Sequence, residues 1–187
     1  MKKIALAAVM AVLFSGAAKA DWVDYVAVGG GYTQSPDLGY GGTEFEMDYG
    51  YHGGAMVGWN QSKEVSIAAD VMFAESEYKG FSSSLQSLSF MLDAMYVCDT
   101  GDFWHPYVGA GAGGINLRYN GGNQFPAFTG SEWAFGYQAM AGVSFDVDEK
   151  HAIFVGYRYQ ASNDVTIKNV PDIEYASHNI SIGVIFD

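Results

Sequence analysis

The chain has 187 residues, 49% hydrophobic and 16% aromatic, with nine lysines and arginines against twenty-one aspartates and glutamates. That length allows one domain with a sizeable core. The formal charge of −12 excludes a nucleic-acid binder, which needs the opposite sign, and a single cysteine, Cys98, excludes a disulfide framework.

In chain order, the first segment is an export signal. Met1-Lys2-Lys3 is its basic head, Ile4 to Phe14 its apolar stretch, and Ala18-Lys19-Ala20 an A-x-A cleavage site. The apolar stretch is too short to span a bilayer as a helix. Asp21 follows the cleavage point where a lipoprotein would need cysteine, so residues 1–20 are expected to be removed and residues 21–187 to form the domain. Loss of Lys2, Lys3 and Lys19 leaves six basic against twenty-one acidic residues, a charge of −15.

The mature chain reads as strands. Residues 23–34 form a glycine-rich first strand of undecided facing, followed by a loop from Ser35 to Asp48. From Tyr49 to Trp59, Tyr49, Tyr51, Ala55, Val57 and Trp59 alternate with Gly50, His52, Gly54, Met56 and Gly58. This period of two belongs to a strand and not to a helix. After the turn N-Q-S-K-E, Val65, Ile67, Ala69, Val71 and Phe73 face outward, and Ser66, Ala68, Asp70 and Met72 inward. A second loop runs from Glu75 to Ser87. Strand four sets Leu88, Phe90, Leu92, Ala94 and Tyr96 against Ser89, Met91, Asp93 and Met95.

Beyond the turn D-T-G-D, strand five (H-P-Y-V-G-A-G-A-G-G-I-N-L) is again too rich in glycine for its facing to be read. A third long loop reaches Ser131. Strand six then holds the alternation for fourteen residues, Glu132 to Phe145, with Trp133, Phe135, Tyr137, Ala139, Ala141, Val143 and Phe145 on the greasy face. The turn D-V-D-E-K leads to strand seven, where Ile153, Val155, Tyr157 and Tyr159 oppose Ala152, Gly156, Arg158 and Gln160. A fourth loop, Ala161 to Glu174, precedes the last strand, Tyr175 to Phe186.

Eight strands joined alternately by long loops and short turns predict an all-β, eight-stranded antiparallel up-and-down barrel, a closure that leaves no open edge. Long strands with a greasy outer face predict that this barrel crosses a membrane. Trp59, Phe145 and Phe186 near the short turns, and Tyr49, Phe73, Trp133, Tyr157 and Tyr159 toward the long loops, are the expected interfacial girdles. The 24 glycines suit a wall that must bend and close.

W-H-P-Y-V-G-A-G-A-G-G at 104–114, A-F-G-Y-Q-A-M-A-G-V-S-F-D at 134–146, V-G-Y-R-Y at 155–159 and the closing I-S-I-G-V-I-F resemble the small bacterial outer-membrane β-barrel family. That family includes opacity-type and porin-like surface antigens and the OmpA and OmpX barrels. The resemblance covers essentially the whole mature chain. It implies residence in a Gram-negative outer membrane, contact with its lipids and lipopolysaccharide, and insertion by the assembly machinery through a terminal aromatic. Phe186 matches that aromatic, although Asp187 follows it.

Function is carried by sites and not by the fold. Asp70, Asp93, Glu132, Arg158 and Gln138 are expected to face the lumen. An eight-stranded barrel holds little more than its own side chains, and buried charges there need partners. Arg158 is therefore expected to bond Asp93 or Asp70. If the hairpin turns near residues 81–82, those two carboxylates stand almost directly opposite each other. A proton-sensitive gate is the functional reading of this cluster; lumen filling is the structural one.

Catalysis finds little support. His52, His105, His151 and His178 lack metal-ligand spacing. No G-x-S-x-G, Walker loop or dinucleotide fingerprint occurs, so neither a metal nor a cofactor is expected. Gln160-Ala161-Ser162-Asn163 is similar to the H-x-S-N stretch of outer-membrane lipid A deacylases, but glutamine stands in the position of the base and takes no proton from serine. The loops carry Glu44, Glu46, Asp48, Glu75, Glu77, Asp164, Asp172 and Glu174 without a calcium-binding spacing. They are expected to be solvated and free to meet host or cell-surface ligands. The expected role is envelope structure and surface interaction, with a narrow conduit and a lipid-modifying enzyme as alternatives.

Overall fold

The computed structural model describes residues 22–35, 38–40, 43–45, 49–77, 84–120, 130–163, 165–167, 170–173 and 175–187. The expected export signal, Glu46, Asp48, Asp164 and Glu174 lie outside these residues, as do the side chains of Glu44 and Asp172. The described residues form eight long strands: β1 (Tyr25–Gln34), β2 (Gly50–Asn60), β3 (Val65–Glu77), β4 (Ser84–Val97), β5 (Trp104–Asn120), β6 (Gly130–Asp148), β7 (His151–Ser162) and β8 (Ala176–Phe186). Each pairs antiparallel with its sequence neighbours, and β1 pairs with both β2 and β8 to close the ring. Two short ladders, Leu38–Tyr40 with Thr43–Phe45 and Val165–Ile167 with Val170–Ile173, lie in the first and last long loops.

The alternation in the sequence becomes two faces with inverted polarity. Phe90, Leu92, Phe135, Ile180 and Ile182 stand exposed on the outer wall, while Asp93, Gln160, Ser89, Ser177 and Asn179 are buried inside. In water that outer wall is an apolar surface far beyond the few hundred Å² that soluble monomers tolerate; in hydrocarbon it is the favourable face. A spanning strand needs about 9–11 residues. β5 and β6, at 17 and 19 residues, exceed that length.

The short turns are set by local side-chain bonds. Ser62 Oγ accepts from the backbone amides of Glu64 and Val65. Asp99 Oδ1 accepts from the amide of Gly101, whose φ of 71° suits a residue without Cβ. The turn between β6 and β7 is tighter than its sequence suggests: β6 continues to Asp148, with a bulge between Asp146 and Asp148, so only Glu149 and Lys150 remain between the strands. The Asp148 carboxylate takes the Lys150 amide at 2.8 Å and His151 Nδ1 at 2.8 Å. These bonds, the amide first, hold its carboxyl below the ordinary range.

Strands one and five, undecided in the sequence, resolve cleanly. Tyr25, Ala27 and Gly29 of β1 and His105, Tyr107 of β5 line the lumen. Ile115 and Leu117 of β5 are wholly buried within it.

Candidate functional site

From the loop side to the turn side the lumen has three zones. The first is an apolar plug of Leu85, Met91, Ile115, Leu117 and Tyr175, with Tyr119 and Ala134 packed against it. Ile115 and Leu117 are 0% exposed. They stand on the lumen face of β5 just above its glycines, so β4, β6 and the chain before β8 converge on them.

Below the plug lies a layer of neutral amides and hydroxyls around one carboxylate. Gln138 Nε2 donates to Asp93 Oδ1 at 2.7 Å, and Gln160 Nε2 donates to both Gln138 Oε1 (3.0 Å) and Ser89 Oγ (3.1 Å). Tyr175 joins the layer from above, sharing a hydrogen bond with Ser87 Oγ and donating to Ser177 Oγ. Asp93 fits only because Gly111 faces it; a Cβ there would lie 1.8 Å from Asp93 Oδ1. Asp93 Oδ2 and Asn179 Oδ1 find no hydrogen-bond partner among the described residues.

Next comes the ion pair. Arg158 Nη1 and Nη2 donate to Asp70 Oδ1 and Oδ2 at 2.9 and 3.0 Å, a two-pronged geometry that is the strong form of this contact. The two side chains are 15% and 3% exposed. His52 Nε2 hydrogen-bonds Ser181 Oγ nearby at 2.8 Å.

The third zone is a chamber of about 550 Å³ reaching the turn side. Met56, Met95, Met140, Tyr25, Tyr107 and Phe154 supply its walls, Asp70 and Arg158 its ceiling, and Asn60, Ser62, Lys63, Asp146 and Asp187 its rim. The aromatic rings lie over glycines: a Cβ at Gly156 would meet Tyr107 Oη at 2.3 Å.

The structure therefore brings Asp70, Asp93, Gln138 and Arg158 into one lumen. Glu132 does not join them. It shares their strand face, but its stretch of β6 lies beyond the ladder with β7, which starts at Gly136, and pairs with β5. Beyond that ladder Glu132 is exposed. Asp70 and Asp93 are not directly opposite either: Asp70 pairs with Met91 and Asp93 with Ala68, a diagonal placement that lets Arg158 and Gln138 take one carboxylate each. Glu75, expected in a loop, sits buried on β3, where Tyr51 Oη and Gln86 Nε2 donate to it. Gln160, in the position of the base, is wholly buried in the amide layer, and Ser162 Oγ donates to Asn163 O.

The expected girdle residues lie on the outer face. Near the turns, Trp59 stacks on Trp22 with centroids 6.1 Å apart, Phe145 meets Phe103, and Phe186 lies edge-on to His151. Toward the loops Tyr49 and Trp133 are exposed, Trp133 against Phe90. Tyr157 hydrogen-bonds His178 Nδ1, and Tyr159 packs on the same ring. Phe73 is half-buried. Sequence reasoning missed two parts of the lumen: the apolar plug, and the turn-side chamber, which leaves open a space that side chains were expected to fill.

Comparison with known proteins gives a consistent picture. The family model described as outer membrane protein beta-barrel domain matches residues 4–186. No curated protein matches the sequence. Among solved structures, Neisserial surface protein A is similar with a TM-score of 0.65 at 19% identity, covering 87% of this chain and 95% of that one. The outer membrane protein OprG from Pseudomonas aeruginosa gives a TM-score of 0.50 at 16% identity, covering 88% and 96%.

Proposed function

Since this chain belongs to the outer membrane protein beta-barrel domain family, we propose that it serves the bacterial outer membrane as a non-conducting barrel, a structural element that presents acidic loops for surface interaction and performs no catalysis. The observation that carries this reading is the plug. Ile115 and Leu117 fill the loop-side lumen, and the Asp93–Gln138–Gln160 layer stands directly beneath it. Ions crossing this barrel meet apolar side chains first and a buried, hydrogen-bonded polar layer second. Two further contacts belong to the same proposal: outer-leaflet lipids and lipopolysaccharide against the aromatic belt, and the assembly machinery reading Phe186. In barrels of this kind the short turns face the periplasm and the long loops the cell exterior.

Planar-bilayer recording is the test. The refolded protein is expected to give no unitary current; a stable nanosiemens-scale step defeats the reading. A narrow conduit is the second reading, favoured by the turn-side chamber of about 550 Å³. It requires the plug to move, and a liposome-swelling assay with small uncharged solutes would detect that.

A further inference from the structure

The chamber beneath the ion pair has the size and lining of a ligand site and not of a leftover void. Ligand pockets commonly enclose about 300–1,000 Å³, with apolar walls and a few placed polar groups; this one encloses about 550 Å³. Four methionines from four strands line it, Met72 at the ceiling beside Arg158 and Met56, Met95 and Met140 on the walls, together with the rings of Tyr25, Tyr107 and Phe154. Thioether side chains adapt to ligands of differing outline, and aromatic faces attract cations.

Depth and charge define the occupant. Six residues of β7 separate Ala152 near the rim from Arg158 at the ceiling, about 20 Å along the strand and about 14 Å along the axis at a tilt near 45°. That depth admits one medium-length hydrocarbon chain. The ceiling offers a chain's end no free charge, because Arg158 is already held by both Asp70 oxygens. Behind the ceiling Asp93 adds a second carboxylate for the one guanidinium. At the rim Asp146 and Asp187 stand with one lysine, Lys63, and with His105, whose Nε2 lies 3.0 Å from Asp146 Oδ2. Burial, and then the Asp146 carboxylate, push the Asp187 carboxyl above its ordinary value, against the opposing pull of His151.

We propose that this chamber binds a single-chain cationic amphiphile entering from the turn side, its tail against the methionines and its ammonium head at the Asp146–Asp187 rim. The site is independent of the non-conducting reading. A barrel that conducts leaves the chamber's walls and rim in place, and a chamber that binds nothing leaves the plug in place.

The test uses the full mature chain refolded in phosphatidylcholine nanodiscs with methyl-labelled methionine, titrated with octyltrimethylammonium, octanoate and octanol. Octyltrimethylammonium is expected to shift the Met56, Met95 and Met140 methyls saturably. Met91, in the plug, stays unmoved. Octanoate is expected to bind at least tenfold more weakly, and Ala152→Trp to abolish the shifts by filling the chamber. Asp146→Asn with Asp187→Asn, both at the rim, weakens the ammonium about fivefold, the scale of exposed charge pairs, while octanol is unaffected. This pair of substitutions decides the matter if Ala152→Trp does not refold. Equal shifts at all four methyls, octanoate binding as tightly as the ammonium, or a neutralised rim without effect on the ammonium would each overturn the proposal.

Discussion

At the scale of single residues the lumen is governed by pairing. Arg158 is the cation of the ion pair, and Asp70 takes it with both oxygens. Removing one member of such a pair strands the other in a site where Asp70 is 3% exposed. Arg158→Met is therefore expected to destabilise the refolded barrel by about 3–5 kcal/mol, and Arg158→Met with Asp70→Leu to recover most of that loss. Urea titration of both variants in liposomes checks it; an unchanged Arg158→Met midpoint shows that the pair contributes nothing. That Arg158 would seek an inward carboxylate was legible from its strand face. The choice of Asp70 was not, because it depends on Gln138 occupying Asp93, a contact between strands 45 residues apart.

At the scale of strands, legibility followed side-chain contrast. Strands two to four and six to eight alternate large apolar with small or polar residues, so their facing could be read directly. Strands one and five present Gly29, Gly30 and Gly31, and Gly109, Gly111, Gly113 and Gly114, on both faces and give no alternation to read. In the fold those glycines do different work on the two faces of β5. A Cβ at Gly111 collides with Asp93, whereas one at Gly114, on the outer face, meets only the Trp133 ring at 3.4 Å. Gly111→Ala is expected to cost about 1–3 kcal/mol by overpacking, and Gly114→Ala to stay within about 0.5 kcal/mol, as surface changes do. Equal unfolding midpoints for the two variants would remove this account of β5. Glu132 failed to reach the lumen for an element-scale reason also: strand length outruns the barrel's closure, which a single strand's alternation does not reveal.

At the scale of the whole molecule, polarity is turned inside out, with buried carboxylate and amides within and exposed Phe, Leu and Ile without. The loop and turn alternation already indicated this architecture, because an up-and-down meander puts its alternate connections on opposite ends. The closed ladder adds a prediction of its own. A ring with every strand paired on both sides should resist detergent until heated. Unboiled protein from an outer-membrane fraction is expected to migrate differently from boiled protein in detergent gels. Identical migration, or recovery in the soluble fraction, would contradict the closed ring.

The plug is built almost entirely from strand residues: Leu85 and Met91 on β4, Ile115 and Leu117 on β5, with Tyr175 alone beside a loop. On the proposed non-conducting reading, the barrier and the long connections are thus encoded by separate stretches of chain. Exchange of residues 78–83 or 121–129 leaves all five of those side chains in the sequence. On that reading, a lineage under pressure to vary what it shows its surroundings can do so while every plug residue stays unchanged.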